Sequence, residues 1–189
     1  MRPFFKIIFR AVPAALVIIS LFLTPGSSAG KKAAPLGKKD LRIFYKSKTP
    51  LTLFGTPYKK FTRLAGNTGR WEDEEKFRYT WDEGQAGFLK TEKMKAPQLV
   101  MITLSENFKT ARGIKKGSTL DELLKAYPDE YSTTEGGNGL WYDYRWTAKS
   151  RSPKEEDKNF RISFFVENGN VDSVMLRLES EEADEIPVG

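Results

Sequence analysis

The sequence predicts an α+β fold of tandem helix-then-three-strand repeats, with the helices packed on one face of an antiparallel sheet. Three observations carry that expectation. Residues 113–128, GIKKGSTLDELLKAYP, read as a glycine turn, a short amphipathic helix and a proline stop. A fainter copy, GTPYKKFTRLAG, occupies 55–66 and starts 62 residues before Gly117. Each is followed by runs that alternate apolar and polar residues, the period of half-buried strands.

At the N-terminus Arg2, Lys6 and Arg10 form a basic region, and Ala11 to Leu23 an uncharged, mostly apolar run. Ser27-Ser28-Ala29 supplies the small residues of a cleavage site. Residues 1–29 are therefore expected to be a signal peptide, since the run is short of the ~20 apolar residues that span a bilayer. The mature chain should begin near Gly30, soluble in the periplasm or outside the cell. Losing the leader removes three basic residues and no acidic one, so the formal charge falls from +6 to +3. Residues 30–40, GKKAAPLGKKD, read as a flexible basic linker. Residues 41–108 form the first expected repeat, 109–180 the second, and 181–189 an acidic tail.

Leu41 to Tyr45 suits a short leading strand. In the first helix Thr56 is the expected N-cap, Pro57 the first helical residue and Gly66 the C-terminal cap. Tyr58, Phe61, Leu64 and Ala65 give it one apolar face. Strands are expected over 76–81, 86–90 and 98–105. In the second helix Thr119 caps, and Glu122 completes a capping box. Leu120, Leu123, Leu124 and Tyr127 fall at i, i+3, i+4 and i+7, and Pro128 ends the helix by withholding an amide hydrogen. A glycine-rich loop over 135–139 leads to strands at 140–146, 160–167 and 171–178. Ile162, Phe164 and Val166 alternate into Asn168-Gly169, a strong hairpin turn, and Val174, Leu176 and Leu178 alternate on the way back.

Composition narrows the chemistry. The chain has no histidine and no cysteine, so imidazole bases, catalytic triads, thiolate nucleophiles and Cys/His metal sites are excluded. An exported chain without cysteine is held by packing alone. The one Ser-x-x-Lys spacing, Ser28 to Lys31, straddles the cleavage site. The run Glu72-Asp73-Glu74-Glu75 is consecutive and reads as a solvated loop, where a glycosidase needs two carboxylates on separate walls. Asn168, Asn170, Asp172 and Glu179 fall at calcium-loop positions 1, 3, 5 and 12, but Ser173 stands where the loop needs glycine and the segment alternates as strand. No catalytic residue, metal or cofactor is expected.

Residues 30–100 hold 16 basic and 8 acidic groups, and 101–189 hold 12 and 17. Lys31, Lys32, Lys38 and Lys39 read as a solubilising linker, with anionic envelope polymer or lipid headgroups as the functional reading. No nucleic-acid motif accompanies them. As a strand, 140–146 puts Tyr142, Tyr144 and Trp146 on one face, toward the second helix, and Trp141, Asp143 and Arg145 on the other. Trp141 and Arg145 are the candidate binding surface, an aromatic platform beside a cation.

The stretch TARGIKKGSTLDELLKAYP over 110–128, followed by strands ending in a glycine-turn hairpin, resembles the recurring unit of small exported bacterial proteins. These include the β-lactamase-inhibitory-protein-like tandem repeats and the small outer-membrane assembly lipoproteins of the SmpA/OmlA type. The resemblance covers 110–178 and, more loosely, 51–105. It implies helices packed on one face of an antiparallel sheet, used for protein binding. The chain lacks the lipid-attachment and disulfide cysteines of those families, so neither named function transfers. Two functions stand as expectations: a non-catalytic exported module binding another envelope or secreted protein, or a binder of cell-wall glycan or anionic envelope polymer through exposed aromatic and basic residues.

Overall fold

The longest alternating runs of the sequence build the centre of the protein. In the computed structural model, which describes residues 34–46, 48–65, 76–81, 84–90, 94–104, 106–149 and 157–180, the Asn168-Gly169 hairpin joins two strands of ten residues each. These are β9 (Lys158–Glu167) and β10 (Asn170–Glu179). Asn168 and Gly169 both take positive φ, 51° and 76°, as a two-residue turn of the twist-matched kind requires. The leader read over 1–29, the first residues of the linker, the acidic run 72–75 and the tail 181–189 lie outside the described residues. The described part belongs to one compact unit, Ala33–Gly189.

In chain order the other elements are β1 (Arg42–Tyr45), β2 (Thr49–Thr52), α1 (Tyr58–Ala65), β3 (Lys76–Trp81), β4 (Gly84–Leu89), β5 (Gln98–Leu104), β6 (Phe108–Thr110), α2 (Leu120–Ala126), β7 (Ser132–Gly136) and β8 (Gly139–Ala148). A seven-stranded sheet runs β3-β4-β5-β10-β9-β8-β7, and a three-stranded sheet runs β2-β1-β6. All the strand pairs are antiparallel. The inner face of the large sheet supplies Phe88, Ile102, Phe164, Val174 and Leu176, all fully buried. Ile43 and Leu51 of the small sheet, Phe61 of α1 and Leu123 of α2 belong to the same core. Among the described residues no helix is long and apolar enough to cross a membrane.

This architecture overturns the expected α+β tandem of helix-then-three-strand repeats. Among the described residues the chain is mostly β, with ten strands against two α-helices of eight and seven residues. Four strands follow α2, because Ser132–Gly136, for which no strand was expected and which overlaps the expected glycine-rich loop 135–139 only at Glu135 and Gly136, pairs with β8. That strand is polar and exposed over its first four residues, so it carries none of the apolar alternation by which strands are recognised. The first half differs again, since β1, β2 and β6 leave the large sheet to form their own.

Local chemistry explains the helix ends. Thr119 accepts a hydrogen bond from the Glu122 amide at 3.2 Å while the Glu122 carboxylate accepts from the Thr119 amide at 2.9 Å, a reciprocal capping box. α1 begins at Tyr58, and the Pro57 carbonyl accepts from the Phe61 amide, so Pro57 occupies the cap expected of Thr56. The Thr56 hydroxyl instead accepts from the Thr52 amide at 2.8 Å, closing the turn that precedes the helix. A flexible linker is the expectation for residues 30–40. From Ala34 onward it is tied to the fold, with a 3-10 turn at Lys38–Leu41 and Asp40 buried.

Candidate binding face

Two arginines show what the fold does with cations. Arg112 lies between the N-terminal segment and the end of α2, its guanidinium 4.8 Å from the Tyr127 ring centre. Nε donates to Asp40 Oδ1 at 2.6 Å, Nη1 to the Ala126 carbonyl and Asp129 Oδ2, and Nη2 to the Ala34 carbonyl and Asp40 Oδ2. All five N–H groups are spent. Burial by itself would lower the Arg112 pKa, but the hydrogen bond and charge of Asp40, with Asp129 behind, leave it raised. This residue is a structural clasp. Its carboxylates lie 72 and 17 residues away in the chain, and no local pattern marks the three as partners.

Arg145 is placed differently. On β8 the alternation turns Tyr142 and Tyr144 into the core and Trp141, Asp143 and Arg145 to the outer face. There they meet Phe165, Ser163 and Arg161 of β9 in direct register. Ser163 Oγ donates to Asp143 Oδ1 at 2.5 Å, and both residues are buried. Arg145, 49% exposed in its side chain, donates from Nη1 to Ser132 Oγ at 3.0 Å and from Nε to Glu179 Oε1 at 3.3 Å. Its Nη2 and Arg161 Nη1 each stand 3.8 Å from Asp143 Oδ2, an ion-pair distance and not a hydrogen bond. Arg161 Nε is 3.3 Å from Glu179 Oε1 without a well-directed hydrogen bond. Arg145 and Arg161 therefore keep donors beyond these pairings, whereas Arg112 keeps none.

Trp141 stands at one end of the same face. Its ring centre is 5.1 Å from that of Phe165 at 42°. Across the hairpin lies Gly136, where a Cβ would come within 2.8 Å of indole Cδ1 and Nε1. The indole thus lies down on bare backbone, propped by one aromatic ring and half-exposed. Both predicted site residues, Trp141 and Arg145, share one surface, as the strand period requires. Arg161, Ser163 and Glu179 join them there, although sequence reasoning had used Glu179 only as the twelfth calcium position. The register of β9 and β10 against β8 is the signal that finds them. The residues of the calcium pattern do not converge: Asp172 meets Lys116 at 3.3 Å, and Glu179 meets the two arginines.

No family model, curated protein or solved structure matches this chain, so the likeness to exported inhibitor and assembly repeats rests on the sequence pattern alone.

Proposed function

We propose that this chain is a non-catalytic, exported protein-binding module whose partner docks on the outer face of the seven-stranded sheet, with Trp141 and Arg145 as anchors. The observation that carries the reading is a tryptophan held flat by Gly136 and Phe165 beside arginines with unspent donors. Aromatic and arginine side chains fixed before binding lose little entropy on docking and dominate protein interfaces. The N-terminal leader pattern supports export, and the want of histidine and cysteine supports a binding role. Charge favours a protein over a polyanion. Arg145, Arg161 and Arg177 share the face with Asp143 and Glu179, so most of the positive charge is already answered. A protein surface of mixed charge matches that arrangement, and a polyphosphate or polyuronate would have to displace Glu179.

Capture from envelope extract by wild type, Trp141→Ala and Arg145→Ala, beside cosedimentation with cell-wall polymer, tests the proposal. Wild type should retain one stoichiometric protein, and Trp141→Ala should weaken it by about 2 kcal/mol or more, some ~30-fold in Kd. Equal capture by all three forms, or salt-sensitive polymer binding in place of a protein, overturns it.

A further inference from the structure

The large sheet ends at β7, whose second side meets no strand among the described residues, and Ser132, Thr133, Thr134 and Glu135 are all exposed. Open edges are ordinarily guarded by lysine, proline or a bulge. β7 reads Ser-Thr-Thr-Glu-Gly, and its pairing with β8 runs without a register shift, so it has no lysine, proline or bulge, and its one charge is Glu135. The turn Gly137-Asn138 closes with Gly136 opposite Gly139. A closing pair of this kind exchanges its hydrogen bonds across the hairpin, and the alternation of the ladder then turns the N–H and C=O of Thr133 and Glu135 outward.

We propose that β7 pairs antiparallel with β7 of a second copy of this chain, about a two-fold axis at Thr134. In that register Thr133 lies opposite Glu135 of the second copy and Glu135 opposite its Thr133, so each pair exchanges two N–H···O=C bonds. Thr134 faces its own counterpart as the close, non-hydrogen-bonded pair, and threonine pairs are favourable there. Charge and length select this axis. Centring on Glu135 would set two carboxylates directly opposite each other, which is destabilising. Centring on Thr133 would leave Gly136 beyond the start of the opposing strand. Only the Thr134 axis pairs all five residues of β7. It also brings Gly137 of the second copy opposite Tyr131, which with Leu140 makes up the exposed large apolar side chains among the described residues, 43% and 38% exposed. The pairing is independent of what the outer face binds.

The chain has no cysteine, so introduced thiols report the register cleanly. Sedimentation equilibrium of the full chain should show a concentration-dependent dimer. Thr134→Cys should oxidise to a disulfide-linked dimer, because non-hydrogen-bonded partners stand about 4.5 Å apart at Cα, inside the disulfide range of roughly 4.4–6.8 Å. Thr133→Cys and Glu135→Cys should each stay reduced alone and cross-link when mixed. Thr133→Pro removes an outward N–H and should give a monomer with an unchanged melting temperature. Should that variant fail to fold, Thr134→Lys puts like charges on the axis and should do the same. A wild-type monomer up to about 0.5 mM, the weak end of specific association, overturns the proposal. So does Thr134→Cys staying reduced, or the single Thr133 and Glu135 thiols cross-linking as readily as Thr134.

Discussion

Arg112 and Arg145 each sit near aspartate in space, and what separates them is how many donors the fold consumes. That distinction cannot be read from a string of residues, because both sets of partners are assembled by long-range packing. Tyr127 and Tyr144 show the same principle in a group that titrates. Both rings are buried against each other, 5.4 Å apart at 47°, and the Tyr144 hydroxyl finds no hydrogen-bond partner among the described residues. Burial, the largest cause, raises both phenol pKa values above the ordinary 10.0. The sign follows from linkage. The unfolded chain loses these protons first, so the stability they carry is complete below about pH 10 and drains away as pH rises beyond it. Melting temperatures measured from pH 8 to 12 should stay level and then fall, and Tyr127→Phe should make the fall shallower. A slope unchanged by that substitution would mean that Tyr127 ionises as freely in the fold as outside it.

Among the elements, those that the sequence made legible are the ones with an apolar stripe or a dedicated turn. The α2 capping box, the Asn168-Gly169 hairpin and the strands at the middle of the large sheet all declare themselves through spacing. β7 and β6 do not. β7 is polar and exposed, and β6 is three residues long, so neither runs long enough with apolar residues to show a period. The helices misled in the opposite direction. Two matching amphipathic segments suggested a repeat, yet a shared local pattern says nothing of which sheet the following strands join. The site was half legible on the same grounds: the period of two paired Trp141 with Arg145, but the register that adds Arg161 and Glu179 is a long-range fact. The β7–β8 hairpin makes this testable. Gly136→Ala would press a methyl group into the Trp141 indole, a side chain that can lift away. Partner capture and tryptophan emission should therefore change while the melting temperature moves by less than about 3 °C. A variant that unfolds instead would show that the indole cannot move.

At the scale of the whole molecule the two sequence halves are not separable, because β5 of the first half pairs with β4 on one side and with β10 of the second half on the other. Met101, Ile102, Thr103 and Leu104 register with Arg177, Leu176, Met175 and Val174 across that seam, and Ile102, Val174 and Leu176 are fully buried there. Thermal unfolding should be a single transition seen alike by tryptophan emission and far-ultraviolet dichroism. Fragments 30–108 and 109–180, prepared apart, should each lack cooperative unfolding and recover it on mixing. A fragment that melts cooperatively alone would show that the seam between β5 and β10 is dispensable. The position of β10 also bears on the timing of assembly. The last strand to be synthesised among those described is the one on which both wings of the sheet close, so β5 and β9 wait for it with edges bare. A chain in synthesis cannot join the two wings of its large sheet before β10 is made. Under the export proposed above, that strand order would hold folding back until the membrane has been crossed.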